Sequence, residues 1–260
     1  MFRFITLCMM LAMGSANGQN HLAAEPSQHE HARPLLFSRS EVVTALQPNI
    51  QTYLTVVERE HRQTSRRDGT ALRIERVFTR VLANVKYLRA DAQNWNWRIV
   101  LLSHVDEVPF AMPGGEILVS TKWVRRLRLT DPELALVLAH EMTHVVAEHM
   151  LERIAELAAN RPAANMSIAD VIRMVREEWY VVREVEQLMQ AQELQADRIG
   201  MELVCAAGFS RSHALGLFDK MHRDQSKQRG FSLVKSHEGP LGRKQVLITR
   251  MQRDELSCPP

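Results

Sequence analysis

The stretch His140-Glu141-Met142-Thr143-His144 sets two imidazoles four residues apart with a carboxylate between them. On a helix that spacing stacks His140 and His144 on one face, where both can bind one metal ion. Glu141 is rotated about 100° from His140 by helix geometry. It can then touch a water held at the metal without becoming a ligand, which is the position of a general base. A pattern this short also arises by chance, and its bland counterpart is a pair of solvated histidines on a charged helix. The flanks oppose that counterpart: Ala135, Leu136, Val137, Leu138 and Ala139 precede the motif, and Val145 and Val146 follow it. A helix so apolar is mostly buried, and two histidines and a glutamate inside it need a compensating partner. His149, five positions after His144, is about 140° around a continuous helix from it, which suits packing or surface better than ligation.

A catalytic zinc takes three protein ligands and leaves one position for water. Downstream, Glu193-Leu194-Gln195-Ala196-Asp197 offers a carboxylate, with a second one four residues on along the same helix face. Glu193 is the candidate ligand, and Asp197 the acceptor for an imidazole N–H that fixes its tautomer. Such a pair is common on exposed helices; its weight comes from sharing a chain with the first motif.

These groups need elements to hold them. Thr130 and Glu133 bracket a capping box that starts the motif helix, with acidic charge in its first turn. Ser38 and Glu41 form a similar signal ahead of Val42, Val43, Leu46, Ile50, Leu54 and Val57, a helical face in which Pro48 predicts a bend or break. Ile74, Val77, Phe78, Val81, Leu82 and Val85 predict a helix from about Leu72 to Ala90. From Trp95 the period changes to that of strands, and Pro113-Gly114-Gly115 reads as a turn, so two antiparallel strands are expected here. Residues from about Leu151 to Leu203 are helical, broken near Asn160 to Pro162 and near Asn165 to Ser167, and Gly208 ends the block. The fold class expected is α+β, mainly helical, with a small antiparallel sheet beside the motif helix.

Four segments, taken together, resemble a known family: PGGEILVS at 113 to 120, LAHEMTHVVAEH at 138 to 149, ELQADRIG at 193 to 200, and His237 with Arg243. Over roughly Leu72 to Leu247 the chain is similar to peptidase family M48, gluzincin zinc metallopeptidases that include HtpX, the Oma-type proteases and the CAAX prenyl protease. The resemblance implies one zinc per chain on His140, His144 and Glu193, with Glu141 as catalytic base and Asp197 behind a ligand. It also implies that His237 and Arg243, six residues apart, face the site, where either can stabilise an oxyanion. Here Glu238 and Gly239 stand between His237 and Pro240, where relatives carry a His-Pro pair.

The opening residues MFRFITLCMMLAMGSANG combine Arg3, an apolar stretch from Phe4 to Met13 and then small residues suited to signal-peptidase cleavage, with Ala16 or Gly18 preceding the cut. They read as a secretory signal over 1–18, followed by a polar, flexible leader over 19–35 with His21, His29 and His31, and a metallopeptidase domain over 36–260. The apolar stretch falls short of the roughly 20 residues a membrane span needs. A periplasmic location without a span follows as the expectation, with peripheral membrane contact left open. Removal of Arg3 with the signal takes the formal charge from +3 to +2, too near neutral to point to nucleic acid. Cys205 and Cys258 then remain, either bridged or as two separate thiols. The function expected is zinc-dependent cleavage of polypeptides, with exported and misfolded envelope proteins as plausible substrates. A metal-stabilised chaperone or adaptor without turnover, or a zinc hydrolase acting on something other than peptides, fits the same motifs. Oligomeric state is not written in these features.

Overall fold

A computed structural model describes residues 36–61, 68–103, 106–161, 165–227 and 239–259. The expected signal, the leader with its three histidines, and His237 lie outside the described residues.

The expected box opens α1 (Arg39–His61): the Ser38 N–H donates to Glu41 Oε2 at 2.7 Å and the Glu41 N–H to Ser38 Oγ at 3.2 Å. Pro48 lies inside this helix, which runs on through it, so of the expected bend or break the break does not occur. Val42, Leu46, Ile50 and Leu54 are all buried along one face, and that burial outweighs the single hydrogen bond Pro48 cannot donate. Asp68 caps α2 (Gly69–Leu82) by accepting from the Thr70 and Ala71 N–H groups. This helix stops short of Ala90. Two 3-10 turns, Val85–Tyr87 and Ala90–Asn94, replace its last part and direct Val85 and Ala92 onto Val146.

The sheet holds β1 (Arg98–Leu102), β2 (Phe110–Ala111) and β3 (Glu116–Ser120) in the order β1-β3-β2. It is mixed rather than antiparallel. β2 and β3 form the expected hairpin, with Ala111 opposite Ile117, and the Gly115 N–H reaches Met112 O at 3.0 Å; the φ of +107° at Gly115 favours glycine. β1 lies on the other side of β3 and runs parallel to it, from Arg98 opposite Glu116 to Leu102 opposite Ser120. β3 is therefore the central strand, and all five of its residues are buried. Ile117 and Val119 face one apolar cluster and Leu118 the other, the period-two alternation of a strand covered on both faces.

Helices α3 (Thr121–Arg126) and α4 (Asp131–Val146) follow, then α5 (His149–Ala159), α6 (Ile168–Glu177) and, after a 3-10 segment, α7 (Glu186–Ala206). The Thr130 N–H donates to Glu133 Oε2 at 2.6 Å, as the sequence predicts. Short α8 (Arg211–Ala214), α9 (Gly216–Lys227) and α10 (Pro240–Gln252) complete the described elements. One cluster packs α2, α4 and α7 against the sheet; the other packs α1, α5 and α6. A bond between Cys205 and Cys258 ties the tail after α10 to the end of α7, settling the choice the sequence left open. The class is α+β and mainly helical, as expected.

Helices α4 and α7 meet at Gly200. A Cβ there would stand 3.1 Å from the backbone nitrogen of His140 and 3.3 Å from its Cα. Backbone cannot move aside as a side-chain tip can, so this crossing sets how near Glu193 comes to the histidines. Gly200→Ala is expected to part the helices by a few tenths of an ångström, costing about 1–3 kcal/mol and weakening metal binding. Urea unfolding and zinc titration of the variant measure both; wild-type values in both would contradict this role for the crossing.

Candidate metal centre

Helix α4 carries His140, Glu141 and His144; α7 carries Glu193 and Asp197; α10 carries Arg243. The structure brings all six together. His140 Nε2 and His144 Nε2 are 3.0 Å apart, His140 Nε2 is 3.4 Å from Glu193 Oε2, and His144 Nε2 is 3.3 Å from Glu193 Oε1. Tetrahedral zinc with ligand bonds of about 2.0–2.2 Å separates its donors by about 3.3–3.6 Å, so the two imidazole nitrogens and the Glu193 carboxylate lie close to the spacing of a shared ion. Two imidazoles and one carboxylate also match the donor chemistry of catalytic zinc sites. Among the described residues, no other cluster of His, Cys, Asp and Glu has this convergence.

Asp197 lies behind His140. Its Oδ1 is 3.0 Å from His140 Nδ1, which donates to it, while His140 Nε2 faces Glu193 and, in the protonated ring, carries the hydrogen a metal would displace. Arg243 grips the same carboxylate with two bonds, Nε to Oδ2 and Nη2 to Oδ1, each 2.6 Å, while its Nη1 lies 3.0 Å from Glu193 Oε2. The guanidinium thus spans both buried carboxylates.

The charges follow from that packing. Burial opposes ionisation of Glu193 and Asp197, but Arg243 and His140 outweigh it and hold both below the ordinary carboxylate range. Burial also disfavours the charged form of His140, yet Glu193 and Asp197 carry it up to about 10. His144 goes the other way, down to about 4, chiefly through burial. Burial pushes Glu141 up to about 7, against the pull of the His140 charge and the Ala111 N–H that donates to it.

Glu141 and His144 line a cleft walled by Ala111 and Met112 at β2, by Met150 on α5 and by Arg39 on α1. Arg39 is placed by its Nη2 bond to Pro113 O at 3.0 Å and by stacking over Trp95. No local motif marks Arg39 for this position.

His149 is nearer the chemistry than its sequence spacing suggests. The estimate of 140° assumes a continuous helix, but α4 ends at Val146 and Glu148 takes a left-handed φ of +58° before α5 begins. The turn brings His149 Nδ1 to 2.7 Å from His144 Nδ1. It packs behind a donor and stands outside the donor set, so the expectation that it is not a ligand agrees with the geometry.

Because Glu193 and Asp197 keep a proton on metal-free His140 until pH approaches 10, metal uptake at neutral pH must displace that proton. Zinc binding is expected to release about one proton per ion at pH 7.5, with apparent affinity rising about tenfold per pH unit below 10. Calorimetry in buffers of different ionisation enthalpy measures this; binding without proton release would contradict it.

The comparisons with known proteins agree with this arrangement. The model of Peptidase family M48 matches residues 69–250, which include every residue of the donor cluster and Arg243. The chain is 26% identical over 136 residues to the mitochondrial metalloendopeptidase OMA1 of Arabidopsis thaliana, covering 48% of this chain and 26% of that protein. It is 26% identical over 182 residues to the protein of the same name from Schizosaccharomyces pombe, covering 68% of this chain and 51% of that protein. The chain thus spans about a quarter to a half of the length of these curated relatives. With the family pattern running through most of the chain and its donor set assembled in space, the protein belongs to peptidase family M48.

Proposed function

We propose that the protein is an endopeptidase that hydrolyses peptide bonds with one zinc ion held by His140, His144 and Glu193 and with Glu141 as general base. The observation that carries this reading is Glu141 itself, set beside a three-donor cluster at an open cleft. Zinc, when bound, supplies Lewis acidity to the scissile carbonyl and to the attacking water. Glu141 takes the proton from that water and delivers it to the departing amine, two transfers that suit a carboxyl pushed up to about 7. Asp197 keeps the His140 ring turned so that Nε2 faces the donor cluster. Arg243 places positive charge beside the site and is our candidate for oxyanion stabilisation, a role His237 can share.

An extended polypeptide would add to the sheet as a further strand. β3 already has neighbours on both sides and offers no free edge. The edge beside Glu141 is β2, where the Ala111 N–H points to the Glu141 carboxylate and Met112 borders the cleft. We assign substrate pairing to this edge.

The proposed setting is the periplasm, with exported and misfolded envelope proteins as substrates. The signal-like opening segment supports export, and the Cys205–Cys258 bond suits an oxidising compartment. No described helix is long and apolar enough to cross a membrane.

The test pairs zinc content with casein cleavage for the wild type and Glu141→Gln. Both should bind one zinc per chain, and the variant should lose cleavage by about 10²–10⁴-fold. Equal cleavage by both would remove Glu141 from the base role. Zinc-loaded wild type that cleaves nothing would favour the adaptor reading.

A further inference from the structure

We propose that His149 and Gln195 form a buried, neutral hydrogen-bond chain that fixes the tautomer of His144 and so presents its Nε2 lone pair to the metal. The inference rests on reading His140, His144 and Glu193 as the donors, and it makes His149 and Gln195 positioning residues.

His149 is 1% exposed, so its ring nitrogens must find partners inside the protein. Its Nε2 lies 2.8 Å from Gln195 Oε1 and its Nδ1 lies 2.7 Å from His144 Nδ1. An amide oxygen only accepts, so the hydrogen on this bond belongs to His149 Nε2. A neutral imidazole carries one N–H, which leaves His149 Nδ1 bare and able only to accept. The His144 Nδ1 must then donate, and His144 Nε2, facing Glu193, carries no hydrogen.

The reverse order is incompatible with ligation. With the Gln195 amide turned to donate, His149 would hold its hydrogen on Nδ1 and aim it at His144 Nδ1. His144 would then carry its own hydrogen on Nε2, where a metal must bind. The ring is also fixed from behind: the Gln192 side-chain N–H donates to the His149 backbone oxygen at 3.2 Å, and Gln192 is itself held by Arg153 and Glu152.

The two metal-facing histidines are therefore supported differently. His140 leans on a carboxylate, Asp197, which Arg243 also grips; His144 leans on a neutral ring backed by an amide. A second carboxylate behind His144 would add another buried negative charge to a centre that already holds Glu141, Glu193 and Asp197. The neutral chain orients the ring without that charge.

The test is zinc affinity by chelator competition, together with the histidine tautomers of the zinc-loaded protein by long-range proton–nitrogen NMR. His149→Phe keeps a ring and removes both nitrogens, and should weaken zinc binding by about 10–100-fold. His149→Asn returns an oxygen near the Nδ1 position and should stay within about threefold of wild type. In the wild type, His149 should carry its hydrogen on Nε2 and His144 on Nδ1; this readout decides the matter if His149→Phe does not fold. Wild-type affinity in the Phe variant, equal loss in the Asn variant, or the opposite tautomers would each overturn the proposal. Neither readout involves cleavage, so a wild type that binds zinc but cleaves nothing would sink the endopeptidase reading and leave this one standing.

Discussion

Glu193 and Asp197 are buried within one turn of α7, and most of the surrounding structure makes that burial tolerable. Removing two carboxylates from water costs several kcal/mol each unless charge and hydrogen bonds are returned to them. Arg243 reaches both from α10, and His140 meets both from α4. The position of α10 therefore matters to the chemistry although it carries none of the three donors. The tail beyond it is held by Leu256 in the core and by the Cys205–Cys258 bond to the end of α7. One helix supplies the anions, a second the imidazoles and a third the compensating cation.

The donor set was legible in the sequence because helix periodicity converts residue spacing directly into shared direction. His140 to His144 and Glu193 to Asp197 are both four-residue steps inside long helices, and apolar flanks marked the first as buried. Where helices end, that conversion fails, which is why the spacing of His149 from His144 did not show that their rings meet. The sheet order was hidden for a different reason. Local alternation reveals a strand but not its neighbour, and the parallel pairing of β1 with β3 depends on a crossover that no turn residue marks. Pro48 shows the limit of local propensity, since four buried side chains on one face hold α1 together through it.

The family pattern begins at residue 69, yet α1 lies before it and still reaches the cleft through Arg39 and Val42. Arg39 is bound to the Pro113 carbonyl at the turn that positions β2. The wall facing Glu141 is thus built partly from a helix outside the matched residues, whereas the donors behind it lie within them. Catalytic geometry and cleft shape have separate structural sources in this chain.

The most direct test of the account is a crystal of the zinc-saturated protein measured on both sides of the zinc absorption edge. The account predicts one strong anomalous peak bounded by His140 Nε2, His144 Nε2 and the Glu193 carboxylate, about 2.0–2.2 Å from each. A peak held by other side chains, or no ordered peak at these three, would contradict it.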